Sequence, residues 1–284
     1  MGAIHTPGVL SPTGLQSWLY CGYRFKCEHI DEIEQPLSWA KEFGTIGHAI
    51  LEYDGDPFAS FSDLGFSHFF DQTYYSMVED FRNQGLVVDD SVVTKGFSEL
   101  AEMIFNFQNW VRDERMEYVQ RELRFEFEYH GHKMEGTTDA LVRFPSTPEG
   151  MVEMIDYKFG SRIPDDRALN RNIQQGLYFY AATEAGYKIH QNAWIQMRHF
   201  EKYKKKGKTA NVGDLKGKGL YPIKITMDDM PALLELVHPI LQSIDNQIFP
   251  ANAYPGDACR SCHVSNICPQ FAIGRRIEES DVLI

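Results

Sequence analysis

Apolar and polar positions keep a helical rhythm at both ends of the chain and a strand rhythm in its middle. Ser11-Pro12-Thr13 has the form of a helix start, with Ser11 as N-cap and Pro12 at the first helical position, followed by apolar Leu15, Trp18 and Leu19 at helical spacing. Gly44-Thr45-Ile46-Gly47-His48 opens a second helix carrying Ile50, Leu51 and Glu52. Ser67 to Asn83 and Val92 to Arg115 bear aromatic-rich stripes (Phe70 and Tyr74, then Leu100, Met103, Ile104 and Phe107) that predict two core-facing helices, with Gly85 to Asp90 as the loop between them. At Tyr118 the period changes to two. Val119, Leu123, Phe125 and Phe127 alternate with Glu122, Arg124, Glu126 and Glu128 as far as Tyr129. Gly131 turns the chain into a second strand, Lys133 to Phe144, and Pro145 to Gly150 forms the next turn. Met151 to Ile155 runs on into Asp156-Tyr157-Lys158 and ends at Phe159-Gly160. A helix over Asn172 to Glu184, a strand over Ala193 to His199, a partner strand over Leu220 to Ile225 and a final amphipathic helix over Met227 to Ile248 complete the pattern. No internal repeat or low-complexity segment interrupts it.

The 284 residues, 43% hydrophobic and 24% charged, suffice for one large domain or two small ones. No apolar run approaches a membrane span, and the N-terminus lacks a basic segment followed by an apolar core, so an intracellular, cytoplasmic protein is expected. The net charge of −12 argues against wholesale coating of nucleic acid. The charge is uneven, however. Between Glu201 and Lys218 seven lysines, among them Lys202, Lys204, Lys205, Lys206 and Lys208, face only Glu201 and Asp214. That stretch reads equally as a solvated loop or as an arm that contacts phosphates.

Candidate chemistry changes the picture in three places. Alternation along a strand points Asp156 and Lys158 the same way, and an antiparallel neighbour can bring Asp139 beside them. Two carboxylates and an amine on one sheet face are what metal-assisted hydrolysis requires, although Asp-x-Lys alone is also the pattern of a solvated charge pair. His48 and Glu52 share a helix face, as do Gln174 and Tyr178; a single such histidine is more often structural than a ligand. Finally, Cys259, Cys262 and Cys268 form C-x₂-C-x₅-C, which in a reducing compartment implies a metal site; Cys21 or Cys27 supplies a fourth thiolate only if the chain ends meet.

Taken together these residues resemble the PD-(D/E)XK nuclease superfamily. The nearest branch is the RecB-like group with an iron–sulfur cluster, which includes the CRISPR-associated exonucleases and the nuclease domain of AddB. The resemblance runs from Ser11 to Pro269. It rests on G-x-x-x-H at Gly44 to His48, G-x-x-D at Gly136 to Asp139, D-x-K at Asp156 to Lys158, Q-x-x-x-Y at Gln174 to Tyr178, and cysteines at 21, 259, 262 and 268. Gly22 stands where the family often has proline, Cys27 rivals Cys21, Gln175 offers a rival register for Gln174, and the segment between Asp139 and Asp156 is somewhat long.

The resemblance implies an α/β fold, with a mixed central sheet flanked by helices in a single nuclease domain, 1–284. Within it fall a helical insertion at 53–116, a basic hairpin arm at 201–219, and a cluster-binding tail at 250–272 that pairs with the 11–27 helix. His48, Asp139, Asp156 and the Tyr157 carbonyl would hold Mg²⁺ or Mn²⁺. Lys158 would position a water and offset charge on the phosphate, while Gln174 and Tyr178 would line the site. Cys21, Cys259, Cys262 and Cys268 would hold a structural 4Fe–4S cluster, with Zn²⁺ as the alternative, and the lysine arm would clamp a DNA strand. The expected activity is a metal-dependent exonuclease on single-stranded or end-bearing DNA in recombination, repair or processing. Its partners would be recombination, helicase or CRISPR-adaptation proteins, in a host or a phage-infected cytoplasm. A non-catalytic DNA-binding scaffold that keeps the fold is the competing expectation.

Overall fold

Five strands pair into one sheet in the order β1-β2-β3-β4-β5, in a computed structural model that describes residues 8–52, 64–160, 172–202, 219–251, 259 and 262–269. β1 (Glu117–Tyr129) and β2 (His132–Arg143) form an antiparallel hairpin, closed by His130 and Gly131 at φ 52 and 80. Left-handed backbone at both central residues matches the twist of a two-residue hairpin, and the glycine there carries no steric penalty. β3 (Val152–Lys158) runs antiparallel to β2 and parallel to β4 (Ile189–Gln196), and β5 (Leu220–Ile223) closes the edge antiparallel to β4. A parallel pair needs a crossover, and the helix preceding β4, α6 (Ile173–Glu184), lies within it.

Helices cover both faces. On one face α3 (Trp39–Leu51), α4 (Leu64–Asn83) and α5 (Asp90–Asp113) pack Ile46, Phe70, Leu100 and Phe107 against Ala140, Ile155 and Tyr157. On the other, α1 (Pro12–Tyr20), α6 and α8 (Met230–Asp245) pack Leu15, Leu177 and Val237 against Leu141 and Met154. β3 is therefore buried on both sides, which explains its unbroken apolar run, and only Lys158 at its end reaches partial exposure.

Several boundaries differ from those expected. α3 begins at Trp39 rather than Gly44, so both motif glycines lie inside a helix. Gly22–His29 forms α2, which the pattern did not suggest because its polar residues outweigh its apolar ones. The strand expected to reach His199 stops at Gln196, and Arg198–Lys202 is a short helix, α7. The last helix divides into a 3₁₀ turn, Met227–Asp229, with a capping box between Thr226 and Asp229, and α8, which ends at Asp245 and accommodates Pro239 internally. Leu10 bridges to Met134, extending the β2 edge. Of the expected basic arm, Lys202 ends α7; Lys204, Lys205, Lys206 and Lys208 lie outside the described residues. Among the described residues, no helix is long and apolar enough to cross a membrane.

Candidate active site at the parting of two strands

The ladder between β2 and β3 ends at the pair Ala140↔Ile155, and beyond it the two strands separate. Asp139 occupies the gap. Its Oδ2 accepts the Tyr157 backbone N–H at 2.6 Å, replacing the ladder bond that parting would lose. Thr138 Oγ1, fully buried, donates to the Ile155 carbonyl at 3.4 Å and holds the same opening from the inside. The Tyr157 side chain turns away from the gap: its hydroxyl lies 3.0 Å from that of Tyr118, and its ring meets Phe107 edge-on. The Tyr157 backbone N–H faces Asp139.

α3 delivers His48 to the same place, with Nδ1 3.5 Å from Asp139 Oδ1. The helix can approach so closely because Gly47 has no side chain. A Cβ there would sit 2.4 Å from Cε1 of Phe159, the residue that follows β3, whereas one on Gly44 would meet nothing nearer than 3.9 Å. Phe159 in turn packs edge-on against the His48 ring at 5.3 Å. Asp156 and Lys158 point the same way, as their spacing requires, with Nζ 2.5 Å from Oδ2. Among the described residues, no hydrogen-bond donor is otherwise aligned on that buried oxygen. Lys158 Nζ also lies 5.0 Å from the centroid of the Trp194 ring on β4.

α6 supplies the remaining pair. Asn172 caps it by accepting from the Gln175 N–H, and Gln16 of α1 accepts from the Ile173 N–H, so two helices fix its start. Gln174 donates to the Tyr178 hydroxyl at 3.2 Å, and Thr13 of α1 stands 3.5 Å from that hydroxyl. Gln175 is fully buried in the α6–sheet interface, which places Gln174 and not Gln175 on the side of Tyr178. The small residue at Gly136 is needed here: a Cβ would approach Tyr178 to 2.8 Å and Phe125 to 2.9 Å.

Electrostatics tie these groups together. Burial pushes the Asp156 carboxyl up, opposed by Lys158 and reinforced by the charge of Asp139. Burial would lower His48 and Lys158, but carboxylates outweigh it in both: Asp139 and Asp156 raise His48, and Asp156 and Asp139 raise Lys158. Glu52, one turn beyond His48, is raised to about 7 by burial, a hydrogen bond with Glu122 and the charges of Glu122 and Asp139. A carboxyl raised from 4.5 to about 7 on folding contributes stability that is complete below pH 4.5 and is lost as pH rises toward 7. The raised His48 and Asp156 act in the same direction. Metal-free protein should therefore unfold at lower temperature as pH climbs from about 5 to about 8, and Glu52→Gln should flatten the slope. Equal slopes in the two proteins would contradict the assignment.

The donors suit a hard divalent cation: two carboxylates and one imidazole beside an open strand edge. They are not closed into a cage, since among the described residues no three His, Cys, Asp or Glu side chains are arranged to hold an ion.

The structure adds residues that the pattern missed. Trp194 and Thr13 carry no motif. Arg121 and Glu122 both line the recess beside His48 and Asp139, along with Glu52 and Tyr118. Plain alternation could not foresee this, because β1 bulges between Tyr118 and Gln120 and Glu122 has left-handed backbone, φ 46.

No disulfide joins any of the five cysteines. Cys21 sits between α1 and α2, half-buried, and Cys27 is buried in α2. α2 meets the tail through the Tyr23 N–H on the Pro250 carbonyl at 3.1 Å, the Tyr23 hydroxyl on the Ile267 carbonyl at 3.0 Å, and His263 Nδ1 3.8 Å from Glu28. Burial raises the Cys27 thiol, which also bonds with Tyr23 and feels Cys262.

The family model of the PD-(D/E)XK nuclease superfamily matches residues 9–269 of the chain. Among solved structures, the chain is similar to a protein described as a putative exonuclease from Eubacterium rectale. The TM-score is 0.54 at 17% identity, covering 90% of this chain and 88% of the other. No curated protein matches the sequence.

Proposed function

The chain belongs to the PD-(D/E)XK nuclease superfamily, and from that premise we propose that it is a divalent-metal-dependent DNA exonuclease acting on single-stranded or end-bearing DNA. The observation that carries this reading is the gathering of His48, Asp139, Asp156 and Lys158, contributed by three separate elements, at the one place where β2 and β3 part. Chance surface charges would not converge on a buried strand end. His48, Asp139, Asp156 and the Tyr157 carbonyl would hold Mg²⁺ or Mn²⁺. A cation there supplies Lewis-acid polarisation of the scissile phosphate and a more acidic bound water.

The protein's own groups do the rest. Lys158, kept protonated by Asp156, places a positive charge where negative charge grows on the phosphate and donates to the attacking water's surroundings. Asp156, excluded from water, keeps that ammonium in place. Gln174 and Tyr178, already bonded to each other, present an amide and a phenol to the nucleic-acid backbone. The lysine-rich stretch that includes Lys202, Lys204, Lys205, Lys206 and Lys208 would supply sequence-independent attraction to the strand.

Cys21, Cys259, Cys262 and Cys268 would carry a 4Fe–4S cluster, or Zn²⁺ in its place, that ties α2 to the tail; Cys27 competes for the first position. The bonds from Tyr23 and Glu28 to the tail support a junction of this kind. Iron, sulfide and zinc content of protein purified without oxygen distinguishes cluster from zinc.

The experiment for the activity is digestion of end-labelled single- and double-stranded DNA with Mg²⁺ or Mn²⁺, beside Asp139→Ala and Lys158→Ala. The expected result is processive or stepwise loss of label from ends by the natural protein and at least about a 10²-fold deficit in both variants. Equal cleavage by all three overturns the site. Binding without cleavage by the natural protein supports a scaffold instead.

A further inference from the structure

A second cavity lies apart from the candidate active site, at the end of β3 opposite Lys158 and beside the last turn of α5. Among the described residues it encloses about 500 Å³, the size of a small-molecule site. Trp110 and Phe144, ring centroids 5.9 Å apart, and Leu220 of β5 form its apolar wall. Glu153 and Gln191 form its polar side. They are register partners on β3 and β4, and Glu153 faces the same side of the sheet as Ile155 and Tyr157.

Glu153 is only 5% exposed, yet just one of its carboxylate oxygens is bonded. Oε1 accepts from Thr147 Oγ1 at 2.8 Å, and Oε2 accepts no hydrogen bond among the described residues. Burial pushes the carboxyl up, against the bond from Thr147 and the charge of His190. A buried carboxyl in this condition gains most from a bound cation that also donates hydrogen bonds. The Gln191 side chain likewise makes no hydrogen bond among the described residues, and neighbouring strands set the two side chains about 5 Å apart. The rest of the lining has the same sign. α5 presents its C-terminal, negative end to the cavity, and the rim carboxylates Asp113 and Glu114 outnumber Arg115.

We propose that this cavity binds a small guanidinium compound, whose planar fork donates to Glu153 Oε2 and to the Gln191 amide oxygen and lies along the wall of Trp110 and Phe144. Several donors fixed in one plane match two acceptors on adjacent strands, whereas a point-like ammonium reaches one of them well. The aromatic wall favours a flat cation for the same reason. A second cationic group on the ligand meets Asp113 and Glu114 at the mouth. The cavity shares no residue with the candidate active site, so its ligand is independent of the nuclease reading.

Agmatine and putrescine, titrated calorimetrically into the full chain, test this. They carry the same carbon chain and the same charge and differ in the guanidinium. N-acetylarginine amide, the third probe, carries the guanidinium as a peptide would. Agmatine should fill one saturable site per chain, at least about 10-fold more tightly than putrescine, and more tightly than N-acetylarginine amide. Glu153→Gln, which keeps an acceptor for Thr147, should weaken agmatine at least about 10-fold. Arg115→Gln, at the exposed rim, should tighten it about 2- to 5-fold at low salt, because a repelling charge is gone. Thermal unfolding without ligand verifies that each variant is folded. No saturable binding, equal affinities for agmatine and putrescine, undiminished binding in Glu153→Gln, or an Arg115→Gln that binds no tighter overturns the proposal. N-acetylarginine amide binding more tightly than agmatine would overturn it too, in favour of an arginine side chain of a partner protein.

Discussion

Asp156→Asn and Lys158→Met are each expected to lower single-turnover cleavage about 10³-fold, and the double variant to be no worse than either alone. The two side chains act as a unit, 2.5 Å apart, with Asp156 almost fully buried. Asparagine removes the carboxylate that raises Lys158 and leaves its ammonium without a partner. Methionine leaves a buried carboxylate that burial already pushes toward its neutral form. Losing one member of a fully buried pair costs about 3–5 kcal/mol, but Lys158 keeps 31% exposure and water relieves part of that. A destabilisation of about 1–2 kcal/mol in each single variant, partly recovered in the double, is the corresponding result in thermal unfolding. Additive losses in both rate and stability would mean that the two groups act independently.

Gly47→Ala is expected to cost about 1–3 kcal/mol of stability and most of the activity, whereas Gly44→Ala is expected to be neutral or to stabilise by up to about 1 kcal/mol. Both glycines lie inside α3, where alanine is the better helix former. Their surroundings decide the sign. The new methyl at 47 would press within 2.4 Å of the Phe159 ring, which is buried and cannot swing away. α3 would have to lift from the end of β3 and carry His48 away from Asp139. At 44 the methyl would meet only ordinary contact. Phe159→Leu should restore part of the stability lost in Gly47→Ala. Equal effects at the two glycines, read by thermal unfolding and cleavage, would show that the approach of α3 to Phe159 does not set the site.

That contrast also marks how far the pattern alone could go. Gly44 drew notice by its spacing to His48, yet Gly47 is the glycine on which the contact depends. Spacing along a chain reports which residues share a face; it does not report what lies across the interface. Strand period two correctly joined Asp156 to Lys158 and aligned the β1–β2 hairpin, because burial of a single face imposes that alternation. The same rule does not show that Glu122 lines the recess beside His48, because β1 bulges between Tyr118 and Gln120 and Glu122 itself takes left-handed backbone, φ 46, neither of which composition reveals. α2 was illegible for a related reason: it is short, polar, and held by contacts with Pro250 and Ile267, more than two hundred residues away. The convergence of His48 on Asp139 was suggested only by family resemblance. Its physical basis, parting strands filled by a carboxylate that bonds to the Tyr157 N–H, appears only in three dimensions.

The central claim is that His48, Asp139 and Asp156 serve one divalent cation. Titration of Mn²⁺ into the protein, following free Mn²⁺ by electron paramagnetic resonance, tests it most directly. The prediction is one saturable site per chain, weakened at least about 10-fold in His48→Ala and lost in Asp139→Ala and Asp156→Ala, each verified as folded. An undiminished site in all three variants would contradict the account.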